Sequence, residues 1–84
     1  MSKKLLNTET KMSRQEASQK LHDLAHKIAE GEVELKSGND SVTLRPTENV
    51  EFELDVEEET DGDRSIEVEI EWSENSKKEE VEIN

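Results

Sequence analysis

The stretch EVEIEW, residues 67–72, alternates glutamate with an apolar residue and ends on the only tryptophan in the chain. Successive side chains of a strand point to opposite faces, so this pattern gives a strand with one apolar and one acidic side. The run starts at Ile66, and a matching run lies upstream: Val50, Phe52, Leu54 and Val56, interleaved with Glu51, Glu53, Asp55 and Glu57. Two such strands require an antiparallel layer with one face covered and the other in water.

The segment between them, ETDGD (residues 59–63), sets how they pair, because residues directly opposite one another share a face. A two-residue turn at Asp61 and Gly62 would place Phe52 against Glu71 and mix the faces. A three-residue loop of Thr60, Asp61 and Gly62, with Gly62 left-handed in a bulge, pairs Val50 with Trp72, Phe52 with Ile70, Leu54 with Val68, and Val56 with Ile66. The second register is the expected one. It sets Glu51 against Glu71, Glu53 against Glu69, and Asp55 against Glu67, like charges that destabilise a sheet when directly opposed. Salt, cations or lysines must offset them.

Upstream, the period is helical. In residues 13–30, Ser13 and Glu16 form a capping box, and Gly31 can turn left-handed after the last helical turn. Ala17, Leu21, Leu24, Ala25 and Ile28 fall within an arc of about 100°, enough for one buried face. After Gly31 the period becomes two. Val33 and Leu35, then Val42 and Leu44, flank a turn at Gly38 and Asn39 that puts Leu35 opposite Val42, Val33 opposite Leu44, Glu34 opposite Thr43, and Glu32 opposite Arg45. Pro46 then breaks the ladder, since it has no amide hydrogen to donate. Near the N-terminus, Leu6, Thr8, Thr10 and Met12 alternate with Asn7, Glu9 and Lys11, which suggests a further strand whose Lys11 would soften the acidic face.

The expected fold is α+β: one amphipathic helix packed on a four- to five-stranded antiparallel meander, with strands at about 6–12, 32–37, 41–45, 50–57 and 65–72. The domain spans residues 1–72, and residues 73–84 read as an acidic and polar disordered tail. A helix about 10–12 Å across covers only part of four strands that span roughly 19 Å. Phe52, Leu54, Ile66, Val68, Ile70 and Trp72 are therefore the expected packing or interface residues. A second copy related by a two-fold axis is the simplest cover, which makes a homodimer the expected assembly.

Composition narrows the function classes. The 84 residues carry 23 acidic and 11 basic side chains, a net charge of -12. Residues 1–46 hold 8 basic and 7 acidic groups, and residues 47–84 hold 3 and 16, so the second half carries the whole imbalance. Such a surface repels phosphate backbones and argues against nucleic-acid binding, while a basic protein suits it as a partner. The chain has no cysteine, which excludes disulfides, thiolate metal sites and thiol nucleophiles. It shows no signal-peptide core and no apolar run of about 20 residues, so a cytoplasmic protein without membrane contact is expected.

Taken in order, the segment MSRQEASQKLHDLAHKIAEGEVEL, a short hairpin, a proline-marked corner and the terminal strand IEVEIEW resemble the amphi-Trp domain family, small prokaryotic proteins named for that strand and its tryptophan. The resemblance covers about residues 8–72 and includes Ser13, Gly31 and Trp72. It implies a small α+β domain with no established activity. Many such proteins come from archaea, including salt-loving ones, although lysine is not depleted here.

Chemistry is sparse. His22 and His26 stand four apart on the helix, a spacing that can place two imidazoles on one metal, but they lie opposite the core face and lack a third histidine or a cysteine. The DGD at 61–63 lacks the later ligands of a calcium loop and reads as a turn. There is no nucleophile with a base and an orienting acid, and no glycine-rich phosphate loop. No enzyme, cofactor or metal site is expected. The leading reading is a homodimeric structural or protein-interaction module. The alternative is a small-ligand or divalent-cation binder using the acidic face of Glu51, Glu53, Asp55, Glu67, Glu69 and Glu71, and a third reading is an acidic regulator of nucleic-acid-binding proteins.

Overall fold

The computed structural model describes residues 2–74. The element order is α1 (Arg14–Glu30), β1 (Val33–Ser37), β2 (Asp40–Leu44), β3 (Glu51–Glu58) and β4 (Arg64–Glu71). The chain divides into two compact units, Met1–Arg45 and Pro46–Asn84.

In the first unit, Ser13 caps α1 as its residue type requires. The Glu16 amide donates to Ser13 Oγ at 3.0 Å, and the Ser13 amide donates to Glu16 Oε1 at 3.1 Å. Gly31 ends the helix at φ 90°, and its amide donates to the carbonyls of Lys27 and Ile28. The next strands pair in the expected register: Val33 with Leu44, Glu34 with Thr43, Leu35 with Val42. Gly38 has φ 61° and Asn39 a negative φ, which makes the connection a type II′ turn. Just past the ladder, Arg45 and Glu32 approach to 3.6 Å across the strands.

Helix α1 packs on β1, and Val33, at 3% exposure, is the one buried side chain among the described residues. The helix face is less covered than its pattern implies. Leu24 and Ile28 are half-buried, whereas Ala17 and Ala25 are exposed and Leu21 is 54% exposed. Two strands are only about 10 Å wide, too narrow to seat the full stripe.

Two further expectations are corrected. The strands do not form one meander: among the described residues β1 pairs only with β2 and β3 only with β4, in two separate two-stranded sheets. The corner at Pro46 lies between the two sheets. Pro46 offers no amide to a ladder, and Thr47 Oγ1 donates to the Asn49 carbonyl at 2.9 Å, which satisfies that group locally. Residues 6–12 form no strand either. Their alternation rests on two apolar residues and two threonines, and no ladder partner among the described residues takes their backbone groups.

In the second unit the loop is the three-residue one. The Gly62 amide donates to the Glu59 carbonyl and the Glu59 amide to the Asp63 carbonyl, with Gly62 at φ 97°. The register follows, with Phe52 opposite Ile70, Leu54 opposite Val68, and Val56 opposite Ile66. Of the expected tail at 73–84, residues 75–84 lie outside the described ones.

Both helix caps are open to mutation. Ser13→Ala is expected to destabilise the first unit by about 1 kcal/mol through the lost cap. Gly31→Ala should cost about 1–2 kcal/mol through left-handed backbone strain. Urea unfolding followed by the helical circular dichroism signal reads both.

Candidate functional site

The hairpin of β3 and β4 gathers the residues singled out by their pattern. Phe52, Leu54, Val56, Ile66, Val68 and Ile70 all project from one side of it, because each lies opposite another of the set. This side is open. Phe52 is 65% exposed, Val56 71% and Ile66 75%, and only Ile70 is half-buried. A contiguous apolar patch of this kind marks a contact surface when monomers otherwise expose apolar residues singly.

Trp72 lies one step beyond the ladder, whose last pair is Glu51 with Glu71, so the expected pairing with Val50 is not a ladder pair. Both residues instead flank a shallow cleft at the open end of the hairpin, beside Thr47 and Asn49. The Trp72 indole N–H donates to Glu74 Oε2 at 2.8 Å. The strand pattern did not point to Glu74. The need of a half-buried indole N–H for an acceptor is the signal that finds it.

The opposite side carries the acids in the expected ladder: Glu51 with Glu71, Glu53 with Glu69, Asp55 with Glu67. The loop bonds determine which pairs are hydrogen-bonded. Glu59 and Asp63 are bonded, and bonded pairs alternate along an antiparallel ladder, so the acidic pairs exchange backbone bonds and the apolar pairs do not. Bonded partners stand about 5.5 Å apart at Cα and non-bonded ones about 4.5 Å. The apolar side chains thus meet at the closer spacing and the carboxylates at the wider one. Repulsion still registers on Glu69, whose carboxyl is raised from its ordinary value first by a side-chain hydrogen bond with Glu53 and then by the charges of Glu71 and Glu53. At the other end of the hairpin, Arg64 lies opposite Glu58, with an approach of 3.6 Å between their charged groups.

The remaining candidates lie on α1 and in the loop between β3 and β4. His26 Nε2 lies 3.2 Å from Glu30 Oε2, one helical turn away. Asp61 Oδ1 accepts from the Asp63 amide at 3.0 Å, so the DGD stretch does turn chemistry. Among the described residues, no three or more His, Cys, Asp or Glu side chains converge as a metal-ligand group. No helix there is long and apolar enough to cross a membrane.

The profile of the Amphi-Trp domain matches residues 1–84, the whole chain. The chain belongs to the Amphi-Trp domain family. No curated protein and no solved structure matches it. Within this Amphi-Trp domain the tryptophan marks the end of the amphipathic strand, and the helix cap, Gly31 and the proline corner occupy the places their spacing indicated.

The two units should respond to acid in opposite senses. A raised Glu69 means the folded hairpin binds more protons than the unfolded chain. Its stability is therefore highest below the ordinary glutamate value of 4.5 and falls as pH rises through the raised value. Glu16 is lowered, first by its backbone hydrogen bond with Ser13, so the capping contribution is present above 4.5 and is lost as pH falls through the lowered value. Amide exchange read separately in α1 and in β3 and β4 between pH 3 and 7 should show the two slopes with opposite signs. Glu69→Gln should flatten the hairpin's slope only.

Proposed function

We propose that this Amphi-Trp domain is a non-enzymatic protein-interaction module that works as a homodimer, with the apolar side of the β3–β4 hairpin as its contact surface. One observation carries the reading: six apolar side chains aligned on one side of a regular ladder stand largely exposed, with no covering element among the described residues of their own unit. A lone two-stranded hairpin is at best marginally stable in water, so association supplies burial that the hairpin lacks.

The acidic side has a different part in this reading. It stays outward, keeps the assembly soluble, and offers a surface to a basic protein partner rather than to nucleic acid. A role confined to the cytoplasm suits the cysteine-free composition.

Fully burying one apolar side chain is worth about 1.5–3 kcal/mol, and about 1.4 kcal/mol is a tenfold change in affinity. Val68→Glu should therefore weaken self-association at least tenfold, and Glu53→Gln on the opposite side should not weaken it. Sedimentation equilibrium over a concentration series reads both. A strictly monomeric parent chain at moderate salt would overturn the reading.

A further inference from the structure

The first unit contains a groove whose three sides differ in kind. One wall is the four consecutive residues Val33, Glu34, Leu35 and Lys36, so β1 presents its edge rather than a face. The floor is Lys20, Asp23, Leu24 and Lys27, spaced i, i+3, i+4, i+7 along one stripe of α1. The far wall is Leu6, Thr8, Thr10 and Met12, alternate residues of the N-terminal stretch, as an extended chain presents one side.

The edge on this groove is unsatisfied. Ser37 and Asp40 close a two-residue loop as a bonded pair, so Leu35 with Val42 and Val33 with Leu44 are bonded, and Glu34 and Lys36 are not. The backbone N–H and C=O groups of Glu34 and Lys36 therefore point away from β2. Among the described residues, no backbone hydrogen bond outside the ladders reaches them. A free strand edge above a partly apolar floor is the arrangement that accepts an added strand.

We infer that this groove receives a free edge of the β3–β4 hairpin from a second copy of the chain, which adds to β1 with its apolar side lying over Leu24. The inference rests on the homodimer reading and names the surface that receives the hairpin. Three properties of the hairpin match the groove. Its apolar side is bare, which the floor and the half-buried Leu6 and Met12 can cover. By the alternation derived above, the backbone groups of Phe52, Leu54 and Val56 point off one edge, and those of Ile66, Val68 and Ile70 off the other. Its net charge is negative and the groove's lining is net positive, Lys20, Lys27 and Lys36 against Asp23 and Glu34. Lys36 stands on the side to which the carboxylates would project, because Val33 and Leu35 take the covered side of β1. Each copy can donate one hairpin and receive another, and a reciprocal exchange closes the assembly at two.

Two measurements test this together. Glu34→Pro removes an outward amide without touching a bond to β2, and Thr43→Pro does the same on the opposite edge of that hairpin. E34P should weaken dimerisation at least tenfold in sedimentation, with T43P close to the parent. In parallel, a one-to-one mixture of ¹⁵N-labelled and unlabelled parent chains, treated with a zero-length carbodiimide, should give mixed-isotope peptides joining Lys36 to a carboxylate of β3 or β4. This second measurement uses the unmodified chain and so holds even if E34P fails to fold. A dimer that gives no such mixed peptides overturns the groove and leaves the homodimer standing. Lys36 cross-links of a single isotope only, from a chain's own hairpin, overturn the groove as an intermolecular site. A monomeric parent chain overturns both.

Discussion

The backbone of one residue, Gly62, sets what each side of the β3–β4 hairpin is. At φ 97° it adds the third residue to a loop that would otherwise close with two. That single unit of length decides parity for eight opposed pairs, from Glu58 with Arg64 to Glu51 with Glu71. With one residue fewer in the loop, Phe52 would face Glu71, and every apolar residue would meet a carboxylate. The same loop also assigns the apolar pairs to the closer, non-bonded positions and the acidic pairs to the wider ones. A side chain at residue 62 would meet open space, so only the left-handed backbone selects glycine there.

Local rules made most of this legible in the sequence. The capping box at Ser13 and Glu16, the left-handed Gly31 and both hairpin registers follow from interactions between residues close in the chain or tied by a short turn, and the structure holds all of them. The packing between elements was not legible. Alternation in residues 6–12 shows that a stretch can lie extended, and it does not supply a ladder partner. Pro46 breaks the strand as its missing amide requires, yet nothing in its neighbourhood says whether the next strand rejoins the same sheet. The structure keeps two sheets. The helix stripe shows the same limit: the angles of Ala17, Leu21, Leu24, Ala25 and Ile28 define an apolar face and not what covers it, and among the elements α1 meets only β1. For the candidate site, the pattern found the apolar residues and the acidic ladder, and it missed Glu74 as the indole's partner because that bond lies beyond the strand.

Charge acts differently in the two units because it sits in different geometry. In the first, one carboxylate, Glu16, meets backbone and hydroxyl donors at a helix start, and the ionised form is the favoured one. In the second, Glu69 meets carboxylates on its own strand and across from it, and the ionised form is the disfavoured one. The same residue type thus supports a helix at neutral pH and strains a hairpin there. Because these groups are solvent-exposed, salt screens both effects, and an acidic hairpin of this kind gains most from added salt.

That strain has a use once the edges of the hairpin are considered. Among the described residues, β3 and β4 each have one side without a ladder partner, and such edges invite pairing with any other exposed strand. Two copies of this hairpin joined edge to edge, with their apolar sides aligned, would carry Glu and Asp side chains onto one continuous face. Each new seam would then add opposed like charges to those already present. The repulsion grows with every hairpin joined and works against open-ended stacking. The free edge of β1 differs in this respect, because its outward positions are Glu34 and Lys36 and the helix beneath adds Lys20 and Lys27. A strand placed there meets cations as well as an apolar floor, and it ends beside a helix rather than another acidic ladder. Like charge thus works against stacking of acidic hairpins on one another, whereas the edge of β1 carries charges of both signs.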